Sequence, residues 1–228
     1  MNKTLDMLSP VDMVEARGNV YGFLSRFLLE PPSEKLMSPL REPDMLSNLA
    51  SIFGESNLTH LQEFINHFPG SLETLIQEYN DLFVVPLGSY VMPYEAVYRD
   101  EREVEGKRIK GLLIGESTAV VQKSYQQAGL AISDAFLDLP DHAGIELSFM
   151  SFLCSKQAAA LKQSDGKQSL EYLEMQKAFL NEHLISWMPK LCARITENAD
   201  GPFYKGLAKL IHAFLTLEAE TLNQPRLS

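Results

Sequence analysis

A chain of 228 residues, 45% hydrophobic and 22% charged, can build one large domain or two small lobes and is not compositionally disordered or fibrous. Twenty basic against thirty acidic residues, a formal charge of −10, argue against a nucleic-acid partner, whose phosphates need a basic face. The two cysteines, Cys154 and Cys192, form no C-x-x-C pair and read as reduced core residues of a reducing compartment.

The opening residues Met1 to Asp6 lack the apolar stretch of an export signal, and no apolar run reaches the roughly 18 to 20 residues of a membrane span. A cytoplasmic location without stable membrane insertion is the expectation. Ser9-Pro10-Val11-Asp12 reads as a helix start, with a serine cap, proline in the first turn and an acid at the third position. Val20, Phe23, Leu24, Phe27 and Leu28 give that helix one apolar face, and Pro31-Pro32 ends it. Short helices follow at Asp44 to Phe53 and Leu58 to Phe68. Ser71 caps the next helix, whose stripe is Leu72, Leu75, Ile76, Tyr79, Leu82 and Phe83.

From Pro86 to Gly111 the helical signal stops, and a loop of that length in a compact domain is commonly functional. Its first half carries Tyr90, Tyr94 and Tyr98; its second half, Arg99 to Lys110, mixes both charges and reads as solvated. Helices resume from Gly115 to Ala128, where Gly129 stops the element. Asp138 can cap the helix after it, with Asp141 at the third position. That helix is apolar on several sides through Ile145, Leu147, Phe149, Met150, Phe152 and Leu153, which marks a central element. After the polar break at Gln163 to Gly166, Leu170 to Trp187 is helical and Pro189 kinks or restarts it. Phe203, Leu207, Leu210, Phe214 and Leu217 form the last stripe. The chain therefore reads as all-α, a bundle of about ten helices without a convincing strand pair. Its two lobes are placed at 1–110, ending in the aromatic loop, and at 111–228.

Catalytic motifs are weak. Gly166-Lys167-Gln168-Ser169 and Gly106-Lys107-Arg108 lack the earlier glycine of a phosphate loop. Gly115-Glu116-Ser117-Thr118 lacks the glycine that follows a strained serine nucleophile. His60, His67, His142, His183 and His212 contain no i, i+4 metal pair, and no cofactor is expected. His183 and His212 read as satisfied core or boundary residues.

Leu139-Pro140-Asp141-His142 is the most informative stretch, because two ionisable groups stand at the mouth of a buried helix. Three readings are open. Asp141 closes a helix cap while His142 packs locally; the two form an acid/base pair; or they rim a recognition groove. Adjacent helical residues do not face each other, which disfavours the second. Tyr94 and Tyr98, flanking Glu95, either pack against the core or wall a groove with polar-tipped rings.

Five segments in order resemble the TorD/DmsD/NarJ family of cytoplasmic chaperones that mature molybdenum-containing oxidoreductases. They are Tyr79-Asn80-Asp81-Leu82-Phe83; Pro93-Tyr94-Glu95-Ala96-Val97-Tyr98; Leu139-Pro140-Asp141-His142 with Glu146 and Phe149-Met150; Phe179-Leu180 to His183-Leu184 with Trp187 and Pro189; and Ala199 with Phe203-Tyr204. The resemblance implies a TorD-like all-helical fold and a non-enzymatic role. It implies binding of the twin-arginine leader of a molybdoenzyme catalytic subunit, of the DMSO reductase type, held until its cofactor is inserted. A peptide-binding set of Tyr79, Phe83, Tyr94, Glu95, Tyr98, Pro140, Asp141 and His142 follows. In it Asp141 anchors a leader arginine or fixes the local helix start, and His142 bonds peptide or neighbouring backbone. Some relatives have been suggested to bind GTP, and some carry tryptophan where this chain has Tyr94 and Tyr98. A monomer and a domain-swapped dimer both fit. The rival readings are a GTP-binding or nucleotide-hydrolysing enzyme and a helical regulatory protein.

Overall fold

The computed structural model describes residues 9–42, 44–67, 71–104, 107–130 and 138–224. The N-terminal segment Met1 to Leu8 and Phe68 lie outside the described residues, as do the side chains of residues 101–110, whose mixed charge was read as solvated. The described residues hold α1 (Pro10–Leu29), α2 (Glu34–Met37), α3 (Met45–Phe53), α4 (Glu55–His67), α5 (Leu72–Phe83), α6 (Glu95–Arg99), α7 (Glu116–Gln127), α8 (Ala143–Lys162), α9 (Gly166–Phe179), α10 (Ile185–Asn198) and α11 (Pro202–Leu222). The fold is all-α with one small hairpin, β1 (Glu101–Val104) against β2 (Lys107–Lys110), antiparallel with Glu101 opposite Lys110 and Val104 opposite Lys107. No helix among the described residues is long and apolar enough to cross a membrane.

The chain forms two compact units that interleave in sequence: residues 1–25 with 94–187, and residues 26–93 with 188–228. The sequence reading put the division at residue 110; the structure puts the breaks inside α1, before α6 and inside α10. Helical periodicity carries no mark where an unbroken helix passes from one unit to another, so these breaks are invisible to it.

In the first unit α8 is the central element, packed along α9 and buried on several sides, as its all-round apolar sequence requires. α1 begins as expected: Ser9 Oγ accepts the Asp12 N–H at 3.2 Å while the Asp12 carboxylate accepts the Ser9 N–H at 3.2 Å. Gly18 and Gly22 of α1 lie against α8. A Cβ at either would stand 3.0 Å from Cys154 Cβ or Ser151 Oγ, and Ser151 Oγ donates to the Gly18 carbonyl at 2.8 Å. Gln176 satisfies the polar core there, accepting Arg17 Nη2 and donating to Gln157 Oε1, each at 2.9 Å. α7 ends at Gly129, whose φ of +80° suits glycine.

In the second unit α11 packs on α4 and α3. Phe27, Phe64, Phe83, Phe203 and Tyr204 form its aromatic centre, with the Phe64 and Phe203 rings 5.0 Å apart. Tyr79 packs on Phe83 at 5.5 Å.

Two expectations need correction. The stretch from Pro86 to Gly111, read as a loop without strands, contains α6 and the hairpin. Five helical residues are too few to show a period, and a contact from distant residues fixes them (below). Pro189 does not restart the late helix. It sits inside α10, after a π turn over Leu180–Leu184 that joins α9 to α10. The carbonyls of that wider turn find other donors: Arg99 Nη1 reaches the Glu182 oxygen at 2.7 Å and Ser186 Oγ the His183 oxygen at 2.6 Å.

Candidate functional site

The site is in the first unit, where Tyr94 and His142 form an isolated antiparallel bridge. The Glu95 N–H donates to the Asp141 carbonyl at 3.0 Å, and the Ala96 N–H donates to Asp141 Oδ2 at 3.0 Å. Asp141 thus holds the first turn of α6 by backbone and side chain together, supplying the acceptor that Tyr94, the cap residue, does not. Asp141 is fully buried. Burial pushes its carboxyl above the ordinary value and the Ala96 N–H pulls it back.

His142, not Asp138, caps α8. Its Nδ1 accepts the Gly144 N–H at 3.0 Å, so the ring proton is on Nε2. Burial pushes the imidazole down to about 4, which leaves it neutral near pH 7. The Asp138 carboxylate, 3.9 Å from Nε2, is then no ion-pair partner at that pH. Asp138 is exposed; it accepts the Leu139 N–H at 2.7 Å and the Tyr94 hydroxyl at 2.9 Å. The half-buried Tyr94 ring meets the His142 ring edge-on at 5.3 Å. Pro140 is half-buried, and its carbonyl accepts the Tyr125 hydroxyl at 2.9 Å.

Behind this rim stands a layer of buried charge. Glu95, fully buried, binds Arg99 Nη1 and lies 2.9 and 3.2 Å from His183 Nδ1 through its two oxygens. Glu146, also fully buried, accepts Trp187 Nε1 at 3.0 Å. Burial first, and the neighbouring Glu95 carboxylate second, hold the Glu146 carboxyl well above its ordinary value. Half-buried Tyr98 packs its ring 5.5 Å from Trp187.

The structure therefore brings Tyr94, Glu95, Pro140, Asp141 and His142 together and sets Tyr98 against the same buried layer. Tyr79 and Phe83 belong to the other unit. Asp141 and Glu95 have no exposed surface with which to touch a ligand; the accessible face of the cluster is Tyr94, Asp138 and Pro140. Asp141 Oδ2 and His142 Nδ1 each accept a backbone N–H, which gives the two residues structural parts in holding α6 and α8. Glu146, His183 and Trp187 were not anticipated as members. A carboxylate inside the apolar run of α8 was the readable signal for Glu146, since a lone acid there needs a partner. No group of three metal-binding side chains is arranged around a common point among the described residues.

The model of the nitrate reductase delta subunit family matches residues 54–193, more than half of the chain. The chaperone protein TorD of Vibrio cholerae is 24% identical, with 92% of this chain and 93% of that protein covered. TorD of Shewanella pealeana is 24% identical over 94% of this chain and 92% of that one, and TorD of Shewanella loihica 23% over 97% and 99%. Among solved structures, a candidate redox enzyme maturation protein from Archaeoglobus fulgidus aligns with a TM-score of 0.46 at 17% identity, covering 93% of this chain and 97% of that one.

Proposed function

The chain belongs to the nitrate reductase delta subunit family, and from that premise we propose that it is a TorD-type chaperone working in the cytoplasm. Its client is the catalytic subunit of a molybdenum-cofactor oxidoreductase. It grips the client's twin-arginine leader and holds the apo form until the cofactor is inserted. The relatives that match it along nearly their whole length are named chaperones, and a chaperone needs a surface that recognises rather than reacts.

One observation carries the reading: Asp141 Oδ2 and His142 Nδ1 hold the starts of α6 and α8, and this leaves Tyr94, Asp138 and Pro140 as the accessible rim of the turn. Tyr94 is fixed on that rim by Asp138 and by the His142 ring. A side chain held before binding loses less freedom on binding, which favours affinity. Asp138 offers a leader arginine an exposed carboxylate, while Tyr94 and Pro140 offer ring surface to the apolar stretch that follows. Micromolar affinity requires about −8 kcal/mol, within reach of a few buried apolar side chains at ~1.5–3 kcal/mol each and one charged hydrogen bond. In this reading Asp141, Glu95 and His142 position the rim, and Tyr98 contributes apolar support.

Co-expression with a molybdoenzyme precursor tests it. The precursor with its leader should co-purify with the chain, and the same precursor without its leader should not. Equal recovery of both would refute leader recognition.

A further inference from the structure

From Leu139 to His142, every backbone carbonyl of the turn has a donor. The Leu139 oxygen accepts the His142 N–H at 3.1 Å, and the Asp141 oxygen accepts the Glu95 N–H at 3.0 Å. The His142 oxygen accepts the Ile145 and Glu146 N–H groups at 2.9 and 3.0 Å. Pro140 differs from its neighbours. A proline has no N–H, so its carbonyl is the one backbone group by which it can be hydrogen-bonded. The donor to that carbonyl is a side chain, the Tyr125 hydroxyl at 2.9 Å.

Tyr125 is fixed on several sides. It stands buried in the last turn of α7, with its ring 4.5 Å from Phe149 of α8 and 6.0 Å from Phe179 of α9. Burial first, then the carboxylates of Glu146, Asp141 and Glu95, hold its phenol well above the ordinary value of 10, so the hydroxyl keeps the hydrogen it donates. The other end of α7 is pinned as well. The Ser117 N–H and Oγ–H both go to Asp100, the residue after α6, at 2.9 and 2.5 Å. A Cβ at Gly115 would stand 1.8 Å from Asp100 Oδ2, so glycine permits that approach. Asp141 in turn holds the start of α6 through the Ala96 N–H. α6, α7 and the turn are thus joined in a ring, which the Tyr125 hydroxyl closes at Pro140.

We propose that Tyr125 is a positioning residue of the rim: held from α8 and α9, its hydroxyl sets the Pro140 carbonyl and with it the face that Pro140 presents to the client. Tyr125 is buried and acts on the client through Pro140. The role rests on the leader reading above and adds to it a residue that stands behind the rim.

Tyr125→Phe removes one oxygen and keeps the ring, so the aromatic packing is retained. Hydrogen exchange followed by NMR, with no peptide present, reads the amides that the turn holds, those of Glu95, Ala96 and His142. They should exchange at least about threefold faster in the variant, with the amides of α9 unchanged. Equal exchange in the two proteins overturns the positioning role. Calorimetry with a twin-arginine leader should then show binding at least about fivefold weaker in the variant, at unchanged helix content. In a Pro140→Ala background, which keeps the carbonyl and removes the ring, Tyr125→Phe should cost less than about twofold, because the two residues act as one unit. A loss of the same size in both backgrounds, or a variant that binds as the wild type does, overturns the proposal. Faster exchange in the variant together with a wild type that binds no leader would refute the leader reading and retain Tyr125 as the residue that sets the turn.

Discussion

The Asp141 carboxylate accepts the backbone N–H of Ala96 at 3.0 Å, 45 residues back along the chain. An acid that reads as the start of its own helix instead caps another. The Asp141→Ala variant leaves the Ala96 N–H buried without an acceptor, which costs about 1–3 kcal/mol. Urea unfolding should show that loss with the far-UV signal of the folded state nearly unchanged, because only the five residues of α6 are released. Leader affinity should fall as Tyr94 is freed. Wild-type stability in this variant would mean that Asp141 does not hold α6.

Glu146 sets a pH dependence of one sign. Its folded value lies well above the ordinary 4.5, so above that pH the unfolded chain has lost a proton that the folded chain keeps. Stability then falls by about 1.4 kcal/mol per pH unit until the folded value is passed. Glu146→Gln keeps an acceptor for Trp187 and removes the titration. Its urea midpoint should therefore gain on the wild type as the pH rises above about 5. Parallel midpoints would place Glu146 in its ionised form throughout.

His142 works in the opposite direction. Its folded value of about 4 lies below the ordinary 6.5, so between the two the unfolded chain binds the extra proton. The contribution is complete above pH 6.5 and is lost as pH falls toward 4, on the order of 3 kcal/mol in all. Asn is a good cap residue, so His142→Asn should fold and lose less stability than the wild type on acidification. The check is thermal melting at the two ends of this window.

Gly206 marks the close approach of α11 to α4. A Cβ there would stand 2.6 Å from Leu61 Cγ and 2.9 Å from the Leu61 backbone nitrogen, and the backbone cannot move aside as a side-chain tip can. Gly206→Ala should cost about 1–3 kcal/mol, a fall in melting temperature of roughly 2–10 °C, despite the better helix propensity of alanine. An unchanged melting temperature would show that α4 and α11 are free to separate.

Much of the helical architecture was legible because its signals are local. The Ser9–Asp12 capping box, the Leu75–Tyr79–Leu82 stripe, the Gly129 stop and the all-round apolar α8 each lie within one element and fix it. What stayed hidden depends on partners far apart in sequence. α6 exists through a carboxylate 45 residues away, and Glu95 meets His183 across 88 residues. The interleaved units follow from two helices that show no break in their periodicity. At the site, Pro140, Asp141 and His142 were recognised as unusual, but burial reversed their parts: Asp141 became the internal clamp, His142 the cap, and the exposed Asp138 took the place on the rim.

In the proposed function Tyr94, held by Asp138 and His142, recognises a leader peptide. Isothermal titration of a twin-arginine leader against the purified chain and against Tyr94→Ala tests it most directly. Micromolar binding by the wild type, weakened at least about tenfold (~1.4 kcal/mol) in a variant with unchanged helix content, is the expected result. Equal affinity of the two proteins, or no heat of binding from either, would contradict it.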